Sequence, residues 1–506
     1  MEVLLDVEQL RASDAWAIED RGIPGLVLME RAAEGLAEVV GEVAPRGRVV
    51  VVCGGGNNGG DGYAVARLLR DIGREVDVLW TSAPEALKGD AATNAQRLGG
   101  VGVERFAPQA LGGAAVVVDA ILGTGFSGTP REDVAGAIEA INAAGVPVVA
   151  CDVPSGVDAS TGAVEGAAIR AVATATFHAA KPGLWIAPGK AHAGEVRVVD
   201  IGIGWAGADS DLEYPVTPHT WLIDRDSLDT YVRRGAESTK FASGHVLVAG
   251  GSRGLTGAPC LSSLAAMRAG AGYVTACVPD ALNDIFEIKL TEVMSVPLPD
   301  DGAGAHTEAG VAGVLEKTGR GGALVLGPGL GRTDGAFAFA RRLAREVDVA
   351  LVLDADGLNA HGGKHLTSLV RRTAPTILTP HAGELARLLD TDSATVGAHR
   401  LRHAREAAAR SGAILVLKGD DTIVAEPEGR VAISRGGAPA LATAGTGDVL
   451  SGVLGAFLAR GMAPFDAAAA AVFAHAEAGR AAARAFGGPD GVIAGDVVEE
   501  LARTLE

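Results

Sequence analysis

The sequence predicts an α/β protein of two domains, each built on a largely parallel sheet covered by helices. Three observations predict it. The chain has 506 residues, and a prior of roughly 150 residues per domain gives two to four domains. Short valine-rich runs alternate with longer Ala/Leu/Arg segments, and such continuous apolar strands suit sheets buried on both faces. Many of those runs end in Gly, Asp or Asn, and α/β proteins place ligands outside the carboxyl ends of their strands.

Composition narrows the function classes. Hydrophobic residues make up 48% and aromatics only 4%, so the cores must be built from Val, Leu, Ile and Ala. The 71 glycines and 22 prolines fall singly or in short clusters, which reads as turns and close-approach loops. A formal net charge of −18 excludes a phosphate-backbone binder, so no nucleic-acid partner is expected. Cys53, Cys151, Cys260 and Cys277 show no C-x-x-C spacing and read as buried thiols in a reducing compartment. The opening MEVLLDVEQL lacks a basic segment followed by a long apolar one, and no uncharged apolar run approaches the roughly 20 residues of a membrane span. The expectation is a soluble, cytoplasmic protein with no membrane partner. Its alanine-rich helices suggest close subunit packing, hence a homo-oligomer.

In chain order, the first expected strand is RVVVVC at 48–53, running into Gly54-Gly55-Gly56-Asn57-Asn58-Gly59-Gly60-Asp61-Gly62, with a helix following at Tyr63. Glycines let backbone amides approach a phosphate, and a helix N-terminus adds a favourable dipole. Gly54, Gly56 and Gly59 satisfy G-x-G-x-x-G, but a dinucleotide dehydrogenase should carry an acidic residue at the end of the next strand. That strand, EVDVLW at 75–80, runs out into Leu-Trp-Thr, so the dehydrogenase reading loses its second support. A purely structural turn would not need Asn57, Asn58 and Asp61 together. The strand 115–122 carries Asp119 and runs into a second loop, Gly123-Thr124-Gly125-Phe126-Ser127-Gly128-Thr129. The strand 146–153 carries Asp152, followed by Pro154, Ser155 and Gly156. Asn58, Asp119, Asp152 and Ser155 would then meet at three neighbouring strand ends. They are hard oxygen donors, suited to an alkali or alkaline-earth cation rather than zinc.

GGGNNGGDG, VDAILGTGFSG and DVPSG in this order resemble the NAD(P)H-hydrate epimerase domain, which has a Rossmann-like three-layer fold. The resemblance spans about residues 1–215. It implies that Asn57 to Asp61 and Gly123 to Thr129 hold the hydrated dinucleotide. It also implies that Asn58, Asp119 and Ser155 bind potassium and that Asp152 stands at the reacting carbon.

A polar, proline-containing stretch at 205–220 separates this half from the next, giving expected domains 1–215 and 216–506. In the second half, strands are expected at 245–251, 322–329, 349–356 and 413–420. The first leads into Ser252 to Pro259 and a helix. Others end in Gly327-Pro328-Gly329-Leu330-Gly331, LDADGLN and TPHAGE. His381, at the last of these strand ends, is weighed between a capping role and ligand contact, and ligand contact is preferred. The sharpest signal is Ala444-Gly445-Thr446-Gly447-Asp448, opening the helix SGVLGAFLARG. Backbone amides of Gly445, Thr446 and Gly447 form an anion hole, and Asp448 on the first turn can accept a proton from an attacking hydroxyl. Lys418-Gly419-Asp420-Asp421-Thr422 closes a strand and can clamp a nucleotide phosphate. There is no G-x-x-x-x-G-K-[ST]: the two Gly-Lys pairs, at 189–190 and 363–364, are followed by Ala and His.

GHVLVAGGSRGLTGAP, GPGLG, LDADGLN, TPHAGE, KGDDT and AGTGD resemble the NAD(P)H-hydrate dehydratase family, of ribokinase-like fold, over about residues 225–506. The resemblance implies that Ala258, Gly331, His381 and Asp448 contact the hydrated dinucleotide. Lys418 to Thr422, with Gly445, Thr446 and Gly447, would contact ADP, a co-substrate accompanied by Mg2+. Asp448 would be the base that activates the 6-hydroxyl.

The two resemblances together imply repair of NADHX and NADPHX. One domain would interconvert the R and S epimers, and the other would dehydrate the S epimer with release of AMP and phosphate from ADP. The rival reading is a ribokinase-like kinase of a vitamin precursor fused to a dinucleotide-binding domain. A non-enzymatic dinucleotide sensor is disfavoured, because a binder needs no base set against an anion hole.

Overall fold

The computed structural model describes residues 1–99, 102–205, 214–319 and 321–506. Of the expected break at 205–220, residues 206–213 lie outside the described residues. The chain forms two compact units, Val3–Thr220 and Met1–Glu2 with Trp221–Glu506.

The first unit carries a seven-stranded sheet. Its order is Val103–Arg105, Val76–Trp80, Val49–Cys53, Val116–Ala120, Val148–Cys151, Ala173–Phe177, Glu195–Val199, and every pairing is parallel. Strand side chains alternate between faces. Val49, Val51 and Cys53 therefore join one core with helices Gly25–Val43 and Asn57–Asp71. Val50 and Val52 join the other with helix Glu132–Ala143. Burial on both faces accounts for the unbroken valine runs and gives three αβα layers.

The second unit is built on a longer sheet. It runs Thr220–Ile223, Val431–Ser434, Ile423–Ala425, Ile414–Leu417, Thr376–Leu378, Ala350–Leu353, Ala323–Leu326, His245–Ala249, Tyr273–Pro279, Met294–Leu298. From Ile414–Leu417 to Met294–Leu298 the pairings are parallel. Ile414–Leu417, Ile423–Ala425 and Val431–Ser434 pair antiparallel. Val246, Val325, Val352 and Val416 point into one core with helices Gly257–Arg268, Thr446–Ala459 and Pro464–Phe486. Helices Val311–Thr318 and Arg400–Ser411 lie against the sheet as well. The alanine-rich helix Pro464–Phe486 buries Ala467 to Ala471, Ala474, Ala478 and Ala482 inside this unit, so its small residues serve intramolecular packing.

All four cysteines are free and buried. Among the described residues no helix is long and apolar enough to cross a membrane.

Candidate functional site

In the first unit a cleft of about 800 Å³ opens at the carboxyl ends of the central strands. Asn57, Asn58, Asp61, Gly123, Thr124, Gly125, Phe126 and Asp152 line it. Gly59, Gly60, Ser127, Gly128 and Thr129 are not among its lining residues. The helix begins at Asn57, six residues before the expected start at Tyr63, with Gly56 as N-cap and no side-chain cap bond. Gly59 and Gly60 are therefore helical and buried. A Cβ on Gly59 would lie 2.1 Å from the Gly54 carbonyl oxygen, and one on Gly60 2.8 Å from the Ala91 backbone. Close packing explains these two glycines, while the uncapped first turn leaves amides directed at the cleft.

Asp119 lies one residue inside its strand and is fully buried. It accepts hydrogen bonds from Ser155 Oγ at 2.6 Å, Ser155 N at 2.8 Å and Ile121 N at 3.3 Å. Leu122 N donates to Ser155 Oγ at 2.8 Å, and Asn58 Nδ2 donates to the Leu122 carbonyl at 3.0 Å. Asn58, Asp119 and Ser155 thus share one bonded set. Among the described residues no cationic side chain pairs with Asp119, and burial raises its pKa to about 6. A buried carboxylate lacking a cationic partner, set among neutral oxygens, fits a weakly charged metal ion.

Asp152 has φ of 67°, in the left-handed region. Its Oδ1 accepts from the Lys181 ammonium at 2.5 Å and from Thr176 Oγ1 at 3.3 Å. Asp14, on helix Val7–Glu19, and Lys181 also line the cleft. Asp14 is exposed on the cleft, and partial desolvation by the cleft walls raises its pKa to about 6, with the Asp152 charge adding to it and Lys181 opposing. Burial, then Asp152 and Asp14, push Asp61 well above the usual carboxylate range. Sequence reasoning missed Lys181 and Asp14; neither belongs to a glycine motif.

In the second unit, helix Thr446–Ala459 starts from Gly445, which has φ of 93° and makes no side-chain cap bond. A left-handed conformation favours glycine, and a Cβ there would also lie 2.7 Å from Leu261 Cδ1. Thr446 Oγ1 donates to the carbonyls of Leu441 at 2.8 Å and Thr443 at 3.0 Å. Its hydroxyl is turned away, and the backbone amides of the first turn remain for an anion. Asp448 is the third helical residue, not the cap. Burial, then the charge of Asp354, raise its pKa to about 7; Lys418 lowers it and Glu384 raises it again.

Asp354 is the hub beneath this helix. It is 1% exposed and accepts from Lys418 Nζ at 3.0 Å, Thr379 Oγ1 at 2.8 Å and Ser451 Oγ at 2.5 Å. Lys418 Nζ also lies 3.8 Å from Glu384. Burial works against the Lys418 charge, but Asp354, Glu384 and Asp448 outweigh it and hold its pKa above the ordinary lysine value. Lys418 therefore points under the helix start, and a Cβ on Gly447 would lie 3.3 Å from its Nζ.

The rest of the 418–422 segment is largely spoken for. Asp421 accepts from Arg400 Nε at 2.8 Å, Asp420 from Gly437 N at 2.9 Å, and Thr422 Oγ1 donates to the Gly419 carbonyl at 2.7 Å. What this loop presents to a ligand is chiefly backbone. His381 caps helix Ala382–Leu389: its Nδ1 accepts from Gly383 N at 3.0 Å and Glu384 N at 3.4 Å. The side chain remains 55% exposed, so capping leaves its outer edge open to a ligand. Ala258 is on the first turn of helix Gly257–Arg268, and Gly331 N donates to Asp356 at 3.2 Å.

Residues 25–183 match a family described as YjeF-related protein N-terminus, and residues 246–503 match one described as NAD(P)H-hydrate dehydratase. The chain is similar to the bifunctional NAD(P)H-hydrate repair enzyme Nnr of Salinibacter ruber, 40% identical over 99% of this chain and 95% of that one. The enzyme of the same description from Moorella thermoacetica is 40% identical over 99% and 96%. Among solved structures, the chain is similar to one described as the ADP/ATP-dependent NAD(P)H-hydrate dehydratase from Bacillus subtilis co-crystallised with ATP/Mg2+. It is 26% identical with a TM-score of 0.47, covering 56% of this chain and 99% of that chain.

Proposed function

The chain belongs to the family of bifunctional NAD(P)H-hydrate repair enzymes, and on that premise we propose how its two units divide the work. The unit Val3–Thr220 epimerises R- and S-NAD(P)HX, and the unit centred on Trp221–Glu506 dehydrates the S epimer at the expense of ADP. The observation that carries the reading is Asp448, a carboxyl with a pKa of about 7 beside an uncapped helix start.

A general base is most useful when its pKa lies near working pH. Asp448 takes the proton of the 6-hydroxyl as that oxygen attacks the terminal phosphoryl group of ADP. Amides of Gly445, Thr446 and Gly447 hold the phosphoryl oxygens, and AMP leaves. Phosphate then departs from the ring and the nicotinamide double bond is restored. Lys418 supports the site from beneath, its charge stabilising the phosphate region while Asp354 and Glu384 hold it in place. Mg2+ would supply further neutralisation of phosphate charge. It is expected to arrive on the nucleotide, because Asp354 and Glu384 already serve Lys418. His381, Ala258 and Gly331 bound the nicotinamide side, and the backbone of 418–422 the ADP side.

In the first unit, the uncapped helix at Asn57 and the loop from Gly123 take the dinucleotide phosphates. Asn58, Asp119 and Ser155 would hold potassium, which would offset the buried Asp119 charge beside the Gly123 loop. A cytoplasmic location follows from the substrates, which arise where NADH and NADPH are used.

The test is S-NADPHX plus ADP, with phosphate and absorbance at 340 nm followed together. Repair releases one phosphate per NADPH formed. A small-molecule kinase, the reading these relatives do not favour, would accumulate a phosphorylated product with no rise at 340 nm.

A further inference from the structure

The first unit buries a lysine that the motif reading leaves unused. Lys181 follows strand Ala173–Phe177, and its side chain is 1% exposed. Its ammonium donates to Asp152 Oδ1 at 2.5 Å, Thr176 Oγ1 at 2.8 Å and the Phe177 carbonyl at 3.0 Å. Those three bonds match the three donors of an ammonium. Lys181 therefore has no donor left for substrate, and its charge is committed to Asp152. A buried ammonium is costly without a charged partner, so the pair fixes the Asp152 side chain in place. The strained φ at Asp152 is of the kind that persists only where the surroundings fix it, and Phe177 N adds a further bond to Oδ1 at 3.3 Å. Asp14 enters the same cleft from another element, helix Val7–Glu19, and is accessible to solvent.

We propose that Lys181 is a positioning residue that fixes Asp152 as the proton acceptor, and that Asp14 is the catalytic carboxyl that donates the proton. The proposal rests on the reading of this unit as the epimerase. The carbon that inverts carries a hydroxyl and is bonded to the ring nitrogen. The Asp14 carboxyl gives its proton to that hydroxyl. The C–O bond breaks and its electron pair leaves with water, while the nitrogen lone pair forms a C=N bond and the carbon becomes planar. Water then adds to the opposite face, the C=N pair returns to nitrogen, and the added water loses a proton to the Asp152 carboxylate. One proton has moved from Asp14 to Asp152, and its return through solvent closes the cycle without any other reactant. Two carboxylates flank the cationic intermediate and stabilise it electrostatically.

The groups facing Asp14 are Arg11 on its own helix, Asp61 on helix Asn57–Asp71, and Asp152, His178 and Lys181 at the neighbouring strand ends. Tyr214 is near enough that, after burial, the Asp14 charge helps raise its pKa. Burial and then Lys181 lower the His178 pKa to about 4, and its ring bonds the Tyr214 hydroxyl at 2.9 Å, so it stays neutral at working pH. Asp14, with a pKa of about 6, must be protonated to act, so kcat/KM is expected to fall as pH rises above about 6.

The experiment measures R-to-S conversion of NADPHX by the full chain across pH, with dehydration by the second unit as internal control. Asp14→Asn should lower kcat by ~10²–10⁴, leave KM within a few-fold, and abolish the fall at high pH. Asp61→Asn should shift that limb but not remove it. Lys181→Met should lower kcat and leave KM within a few-fold, because Asp152 is no longer fixed in place; Lys181→Arg should restore part of the rate. Asp14→Asn acting within a few-fold of the parent, with the same pH profile, would overturn the donor assignment. Lys181→Met with kcat unchanged, or a lowered kcat that Lys181→Arg does not restore at all, would reduce Lys181 to a packing role and overturn the rest. If Lys181→Met fails to fold, the Asp14→Asn profile decides alone. A parent chain with no epimerase activity would overturn the epimerase reading and this division with it.

Discussion

Replacing Asp448 with asparagine should move the activity and the stability of the second unit in opposite directions. Burial raises the Asp448 pKa from 3.8 to about 7, and Asp354 adds to it. The shift is roughly three units, and at about 1.4 kcal/mol per unit the ionised form carries a penalty on the order of 4 kcal/mol. The folded protein binds this proton more tightly than the unfolded chain. The stabilising contribution is therefore fully present below about pH 4 and is lost as pH rises through about 7. Asparagine has nearly the same shape and cannot ionise, so the variant escapes that loss. At pH 8 Asp448→Asn should be more stable by up to about 4 kcal/mol, a rise of several degrees in Tm for a unit of this size; at pH 4 the difference should nearly vanish. Activity moves the other way, because asparagine cannot accept the hydroxyl proton, and phosphate release should fall by ~10²–10⁴. ADP affinity should change only a few-fold, since the anion is held by backbone amides. For the parent, dehydration should fade as pH drops below about 7, where the base becomes protonated. The assays are phosphate release from ADP with S-NADPHX, calorimetric ADP binding, and thermal melts at both pH values. A variant that releases phosphate within a few-fold of the parent refutes the base assignment. One that melts at or below the parent at pH 8 refutes the claim that this carboxylate is held at a cost to the fold.

The remaining expectations concern the other elements. Replacing potassium with tetramethylammonium should suppress epimerisation, and Asp119→Ala should lower the rate and abolish its potassium response; full rate with an unchanged response would contradict this. Fragments 3–220 and 221–506 should each fold and keep their own reaction, checked by circular dichroism and the two assays. A cut at 215/216 should weaken the first fragment, because Val216 packs with Leu5, Leu10 and Ala179. Gly452→Ala should destabilise the second unit by ~1–3 kcal/mol through overpacking, because a Cβ there would lie 2.1 Å from the Ser262 carbonyl oxygen. Its melting transition should drop while epimerisation is untouched.

What was legible in the sequence is what a strand-end motif can carry. The valine runs told of sheets buried on both faces, and the glycine and aspartate positions after them marked where ligands approach. Several roles were not legible, for physical reasons that differ by residue. Asn57 to Gly62 read as a loop, yet glycines fit equally well in a helix pressed against neighbouring backbone, and Gly59 and Gly60 serve that packing. Lys418 read as a phosphate clamp, and what the sequence did not carry is its ion pair with buried Asp354, which sets the ammonium beneath the helix start. Asp421 read as a nucleotide contact, while its partner Arg400 lies 21 positions away and left no local signal. His381 was weighed between cap and ligand contact; the cap that Glu384 three residues later announces is present, and the outer edge of the ring stays exposed. Lys181 and Asp14 belong to no glycine motif, and only the fold brings them to the cleft that holds Asp152. The hairpin of Ile423–Ala425 and Val431–Ser434 is made of strands too short to declare a period.

The central claim is that one unit supplies the epimer the other consumes. It is tested most directly by giving the full chain an equal mixture of R- and S-NADPHX with excess ADP and potassium, at enzyme levels where uncatalysed epimerisation is negligible. Absorbance at 340 nm should rise to the value for the whole mixture, while Asp152→Ala should stop near half of it. A parent chain that also stops at the S fraction would contradict the claim.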